Sequence, residues 1–354
     1  MASWPSILNR IAKLVVRGTS LSEAVNVGIL DPTYAVDGFI AKSELLRLQA
    51  RLNPLSWASL CEDKAVFHAF CSGVGLSVPK VHSIFDAGLG KAGARVLTSR
   101  SDWIAYFADS LPCPIICKPA YGVYGRGIVR FERQAHDGRL VDHRGALWSP
   151  AALYDHLIAD GLRKFVFQDV VKPIPMLSLL SGTESVQTVR VTTLVDGEGS
   201  VAFLDASIKL INGDGLVDNF QGGATGNLSA PIDVSTGEVG VARGVHRPGS
   251  GTVVEENHPR TGKRIGGIIL PDWERVLADV SRAAVLFTPL RTVGWDVALT
   301  ASGPVLLEGN IWWDPVITKH RTERAESAWR QGLAALRREA ADAEPRDPWD
   351  YVDV

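Results

Sequence analysis

Apolar positions along the chain fall into short runs and helical stripes, with no internal repeat and no low-complexity segment. Residues 1–60 carry a helical pattern, with Ser20, Ser43 and the Asp31-Pro32 pair as boundaries. CEDKAVFHAFCSGVG (61–75) predicts a helix with Val66, Phe67 and Phe70 on one side, ending near Gly73 or Gly75. LSVPKVHSIF (76–85) predicts a short strand, residues 102–109 a helix, and PIICKP (114–119) a strand. AYGVYGRG (120–127) is a glycine-rich turn, and IVRFE (128–132) is the returning strand. Residues 150–160 predict a helix, and KFVFQDVV (164–171) a buried strand. Val186 to Leu210 reads as strand, turn at Asp196-Gly197, strand. GDG (213–215) and QGGATGN (221–227) mark a long polar loop. A helix over 271–287, started by Pro271 and stopped at Thr288-Pro289, leads into the hairpin VGWDVALTASGPVLLEGN (293–310). A charged amphipathic helix over 320–343 and a loose tail close the chain.

Strands and helices mix without strict alternation, which predicts an α+β fold. The pattern divides the chain into a helical N-terminal segment (1–60), a smaller lobe with the glycine loop (61–165), a larger lobe (166–319), and a C-terminal helix and tail (320–354).

A chain of 354 residues is long enough for two or three packed lobes. It is 46% hydrophobic and 21% charged, with a formal net charge of -2. That balance gives no electrostatic reason for a nucleic-acid or anionic-membrane partner. No apolar run approaches the roughly 20 residues that span a bilayer. The N-terminal stretch, with Arg10, Lys13 and Arg17, lacks the apolar core and cleavage site of a secretory signal, so the chain reads as cytoplasmic. Cys61, Cys71, Cys113 and Cys117 make no disulfide framework; Cys113 and Cys117 sit in an apolar run as small hydrophobes. Oligomeric state is open.

The hairpin carries the strongest chemistry. A three-residue loop, Ala301-Ser302-Gly303, places Gly303 where a left-handed conformation is needed. Thr300 then faces Pro304, Asp296 faces Glu308, and Asn310 lies two residues on, on the same face. A two-residue loop would send Asp296 to the other face. Both strands are apolar on both faces, and two facing buried carboxylates are costly without a counter-charge. A divalent cation on three oxygen ligands supplies one, and Mg²⁺ or Mn²⁺ suits that set. The competing arrangement pairs the acids with basic residues such as Arg282 or Arg291.

The glycine loop Gly122, Gly125, Gly127 lies between two strands. It has neither the GK[ST] of a Walker loop nor the following helix of a dinucleotide fingerprint. A strand–glycine loop–strand is like the flap that covers phosphates in kinases, and also like an ordinary tight hairpin. Lys118 ends an apolar strand just before it, a position that calls for an anionic partner.

DK at 63–64, ICKP at 116–119, GVYGRG, VFQDVV at 166–171, GWDVA at 294–298 and LLEGN at 306–310 follow the order found in ATP-grasp enzymes. The finer pattern, SVQTVRVTT, VDNFQGG, HPRTG and GWDVALT, resembles the sugar-transfer-associated branch, related to α-L-glutamate ligases. The resemblance covers roughly residues 60–318. It implies two α+β lobes clasping ATP after a short helical N-terminal segment. It implies that Lys64, Lys118 and Lys209 contact phosphates, and that the loop from Gly122 to Gly127, with Arg126, folds over them. Gln168, Asp169, Val170 and Val171 would line the adenine edge; Asp169 and Glu184 both qualify for the ribose. Asp296, Glu308 and Asn310 would hold Mg²⁺. Family members usually have an acid where this chain has Gln168, and many carry a Rossmann-like domain before the lysine helix, where this chain has about 60 helical residues.

The chemistry so implied is ATP-dependent ligation of a small-molecule carboxylate, through an acylphosphate, to an amine or other nucleophile, in a polysaccharide or modified-sugar setting. Arg190 would grip the γ-phosphate or the carboxylate, or else form a cross-strand ion pair. Asn219 and the glycines at 222–223 would lie on a closing loop, and His258 and Arg260 would contact substrate or cap a turn. A phosphotransferase acting on a hydroxyl and a non-catalytic nucleotide-binding partner of glycosyltransferases are the alternatives.

Overall fold

A computed structural model describes Ala12, Thr19 and residues 39–343, apart from 88, 123, 124, 126, 160, 162, 246–252 and 316–322. Most of the segment before residue 39, Arg126, and the C-terminal tail therefore lie outside the described residues. The chain divides into two compact units. The first comprises residues 1–58, 173–304 and 309–354, the second residues 59–172 and 305–308.

Helix α1 (Lys42–Leu52) belongs to the first unit. It starts behind Ala41 with no side-chain cap, one residue before the Ser43 boundary that the sequence suggests. The second unit follows with α2 (Ser59–Glu62), α3 (Lys64–Gly73), β1 (Val81–Asp86), β2 (Gly90–Ala92), β3 (Arg95–Leu97), α4 (Arg100–Asp109), β4 (Ile115–Pro119), β5 (Val129–Gln134), β6 (Leu140–Asp142), β7 (Leu147–Trp148), α5 (Pro150–Ala159) and β8 (Lys164–Asp169). Its strands form one antiparallel sheet in the order β3-β2-β1-β8-β4-β5-β6-β7. The strand expected to open the larger lobe, β8, thus sits at the centre of this sheet, between β1 and β4.

Alternation sorts the two faces. Ile115 and Cys117 of β4 and Phe165 and Phe167 of β8 pack with Phe85, Trp103, Phe107, Phe131, Leu153 and Leu157 into an aromatic core under α4 and α5. Burying one phenylalanine is favourable by roughly 1.5–3 kcal/mol, against about 0–1 kcal/mol for a surface ion pair. The five fully buried phenylalanines of this cluster therefore each outweigh a surface ion pair. On the opposite face, Val166 packs with Ala65 of α3 and Ala120. That double burial is why KFVFQ reads as a continuous apolar run. A capping box at Ser99–Asp102 starts α4.

The first unit resumes with α6 (Pro175–Ser181), β9 (Thr188–Val195), β10 (Val201–Leu210), β11 (Leu228–Pro231), β12 (Ala242–Gly244), β13 (Val253–Glu255), α7 (Trp273–Leu286), β14 (Thr292–Thr300), β15 (Gly303–Asn310) and α8 (Glu323–Asp342). Its sheet has the order β13-β12-β11-β10-β9-β14-β15. Trp295 meets Phe287, at the end of α7, edge to face at 4.9 Å. The other face is covered at one end by α1 and α8, which bury Leu194, Leu204 and Trp313 with Trp329, Leu333 and Leu336. Further along, that face carries Arg190, Ser207, Lys209 and Asp296. Gly303 has φ +112, as a turn glycine must; β14 reaches Thr300 and β15 restarts at Gly303, so Ala301 and Ser302 alone lie between the strands. Among the described residues, no helix is long and apolar enough to cross a membrane.

Candidate functional site

Sheet register in the first unit brings distant residues into one row. Arg190 of β9 is the Cα partner of both Asp296 of β14 and Ser207 of β10. Lys209 lies two residues beyond Ser207, on the same face. The side chains converge. Arg190 Nε and Nη2 donate to the two oxygens of Asp296, the latter at 2.7 Å, and Lys209 Nζ donates to Asp296 Oδ2 at 3.0 Å. Asp296 is 3% exposed. A second buried acid, Asp218, accepts from the Thr188 amide and hydroxyl, both at 2.6 Å, and lies 3.8 Å from Lys209. Two cations thus face two carboxylates, and the cluster is close to neutral. Gly294 makes the packing possible: a Cβ there would stand 2.8 Å from Trp313 Cβ and 3.2 Å from Arg190 Cδ.

The polar loop after β10 is fastened at both ends. Asn227, 6% exposed, donates to the carbonyls of Val217 and Asn219 at 3.0 Å each and accepts from the Asn212 amide. His258 is fully buried; its Nε2 meets the Ile211 carbonyl at 3.0 Å and its Nδ1 accepts from the Arg260 amide. Arg260 in turn holds the Gly213 carbonyl and Asp214. His258 and Arg260 here clamp the loop that follows Lys209. Glu184 is exposed.

In the second unit, Lys118 lies opposite Val166 and Ile116 opposite Gln168, on the face away from the aromatic core. Lys64 Nζ donates to the Gly122 carbonyl at 3.4 Å and lies 3.6 Å from Glu308. His68, which the motifs did not flag, is 2% exposed; burial and the charges of Lys118 and Lys64 push its pKa down to about 3. Gln168 is 1% exposed, and its amide lies beside His68, where a hydrogen bond between them works against the lowering of the His68 pKa. Asp169 turns to His82, its Oδ1 2.6 Å from Nε2. Val170 and Val171 are half-buried just beyond β8.

Asp296, Glu308 and Asn310 offer oxygen donors only, the chemistry a hard cation takes. The Asn310 amide nitrogen donates to the Gly294 carbonyl at 3.3 Å, which leaves its side-chain oxygen as the acceptor end. A metal on Asp296 has to take that carboxylate from Arg190 and Lys209. Among the described residues, no three His, Cys, Asp or Glu side chains gather into a metal-ligating group. The donors fit a cation in kind, and the cations now holding Asp296 are suited to anionic oxygen.

A family model described as sugar-transfer associated ATP-grasp matches residues 45–321. No curated protein matches the chain. Similar solved structures include L-amino acid ligase from Bacillus licheniformis, at 13% identity and TM-score 0.37, covering 73% of this chain and 42% of that one. D-alanine–D-alanine ligase from Bacillus anthracis matches at 12% and 0.39, covering 80% and 69%. VanG D-Ala:D-Ser ligase from Enterococcus faecalis matches at 14% and 0.42, covering 80% and 63%. The chain spans less than half the length of the first of these.

Proposed function

The chain belongs to the sugar-transfer-associated ATP-grasp family, and from that premise we propose that it is an ATP- and Mg²⁺-dependent ligase acting on a small-molecule carboxylate. The carboxylate oxygen attacks the γ-phosphorus of ATP, the bond to the β-phosphate oxygen breaks, and ADP leaves. An amine or other nucleophile then attacks the acyl carbon of the acylphosphate and releases phosphate. The family's description favours an acid from polysaccharide or modified-sugar metabolism.

The observation that carries this reading is the pair of cations on one buried carboxylate. Arg190 and Lys209 are largely buried and are held on Asp296, the carboxylate that a metal would claim. A guanidinium binds a carboxylate or a phosphoryl group through two parallel bonds, which suits Arg190 to orient the reacting pair. Lys209 suits the transferred phosphoryl group, and Asn219 lies on the clamped loop beyond it. Asp296, Glu308 and Asn310 would hold Mg²⁺, with Mn²⁺ as a substitute; bound there, it would neutralise phosphate charge. In the second unit, Lys64, Lys118 and the glycine loop through Gly125, Arg126 and Gly127 would take the ATP phosphates. The buried Gln168 amide, with one donor and one acceptor end, suits a base edge that both donates and accepts, as adenine's does.

Incubation with ATP, Mg²⁺, hydroxylamine and a panel of sugar-derived and amino acids tests the proposal. The expected result is an acyl-hydroxamate with stoichiometric ADP for at least one acid. Silence from every acid, together with no ATP-dependent thermal shift, refutes it.

A further inference from the structure

Asp63 precedes Lys64 and is 2% exposed. Its carboxylate caps α3, accepting from the amides of Ala65 at 2.8 Å and Val66 at 3.4 Å. A serine or asparagine would do as much without burying a charge. The other oxygen accepts from Lys164 Nζ at 2.6 Å and from the Tyr121 hydroxyl at 2.8 Å. Lys164 Nζ also stands over the Tyr121 ring, 5.5 Å from its centre. Backbone bonds reinforce the junction: the Lys64 amide donates to the Ala120 carbonyl at 2.9 Å, and the Ala120 amide to the Lys164 carbonyl at 2.8 Å. One carboxylate therefore ties the start of the lysine helix, the end of β4 and the start of β8.

Tyr121 is 49% exposed, yet its hydroxyl bonds inward to Asp63. The next residue, Gly122, has φ +125, and a Cβ there would meet nothing within 4 Å. Glycine is needed at 122 for its conformation, not for space. The chain is thus fixed up to Tyr121 and turns into the glycine loop at Gly122. The Gly122 carbonyl is in turn held by Lys64.

We propose that Asp63 is a positioning residue that sets the Lys64 ammonium and the root of the glycine loop together, through Tyr121 and Lys164, so that both meet the phosphates of a nucleotide. The inference rests on the nucleotide-binding reading above. Its bonds also leave independent marks. Burial alone would raise the Asp63 pKa, but bonds from Lys164, Tyr121 and the Ala65 amide outweigh it and lower it; the same bond raises that of Tyr121.

The test uses the full chain and two variants, Tyr121→Phe and Asp63→Asn. Absorbance titration first reads the six tyrosines: burial also delays Tyr106, so beside it a further late tyrosine should be present in the wild type, be missing in Tyr121→Phe and return to the ordinary range in Asp63→Asn. Calorimetric titration with MgATP then reads the function. Misplacing the contact residues should weaken binding by between about tenfold and about 100-fold in both variants. In the ligase assay, half-saturation by MgATP should rise while the maximal rate stays within about twofold. If Asp63→Asn does not fold, Tyr121→Phe decides, because it removes only a hydroxyl from a half-exposed side chain. Wild-type binding with unchanged affinity in Tyr121→Phe overturns the positioning role alone. Absence of wild-type binding overturns it together with the nucleotide reading.

Discussion

Replacing Asp296 by asparagine removes the one charge on which Arg190 and Lys209 converge, and keeps the shape. Removing one partner of a buried ion pair costs about 3–5 kcal/mol, because the other charge is left uncompensated. Here Arg190 loses its carboxylate, while Lys209 keeps only Asp218, 3.8 Å away. Their side chains are 18% and 11% exposed, which admits some water, and the amide oxygen still accepts one bond. The low end, about 3 kcal/mol, is therefore expected. Arg190→Met acts differently: it removes two bonds to Asp296, but Lys209 still compensates the carboxylate, so the net loss should be smaller, about 1.5–3 kcal/mol. The ordering follows from geometry, since Asp296 serves both cations and keeps one of them when Arg190 is lost. Denaturant unfolding followed by tryptophan fluorescence checks both variants; Trp295 and Trp313 lie in the same unit. A cost below about 1 kcal/mol for Asp296→Asn, or a larger cost for Arg190→Met than for Asp296→Asn, refutes the description of this cluster.

Other consequences can be read from single sites. The folded pKa of His68, about 3, lies below the ordinary 6.5, so its contribution to stability is complete above about pH 6.5 and is lost as pH falls towards 3. His68→Leu should flatten the acid limb of the stability–pH curve over that window. Gly294→Ala should cost about 1–3 kcal/mol by overpacking against Trp313 and should displace the Arg190 stem; unchanged denaturation would contradict it. Asn227→Ala should loosen the loop after β10, seen as faster amide exchange over residues 213–226 with little change in β14.

Elements with a strong local signal were legible from the residues alone. Ile115–Pro119, Lys164–Asp169 and the strands flanking Gly303 read as strands because their apolar runs end at turn residues. The short strands β2, β3, β6 and β7, at the two ends of their sheet, were not, since two or three residues carry no period. Helix α6, seven residues starting at Pro175, was hidden because so short a segment, with only Ser178 and Ser181 polar, shows no clear helical period. In the candidate site, Arg190, Lys209 and Asp296 could each be singled out by type. Their convergence on one carboxylate depends on the β9–β10 and β9–β14 register, which local pattern does not encode. The arrangement of Arg190 is the cross-strand ion pair that the sequence left open. Asp63 was visible only as half of a short motif, because its partners Tyr121 and Lys164 lie 58 and 101 residues away.

Calorimetric titration of the wild type and of Glu308→Gln with ATP, in Mg²⁺ and again in chelator, tests the central claim most directly. The account predicts saturable binding by the wild type that requires Mg²⁺, and loss of that Mg²⁺ requirement or of binding itself in Glu308→Gln. No binding by the wild type, or Mg²⁺-dependent binding that survives unchanged in Glu308→Gln, would contradict it.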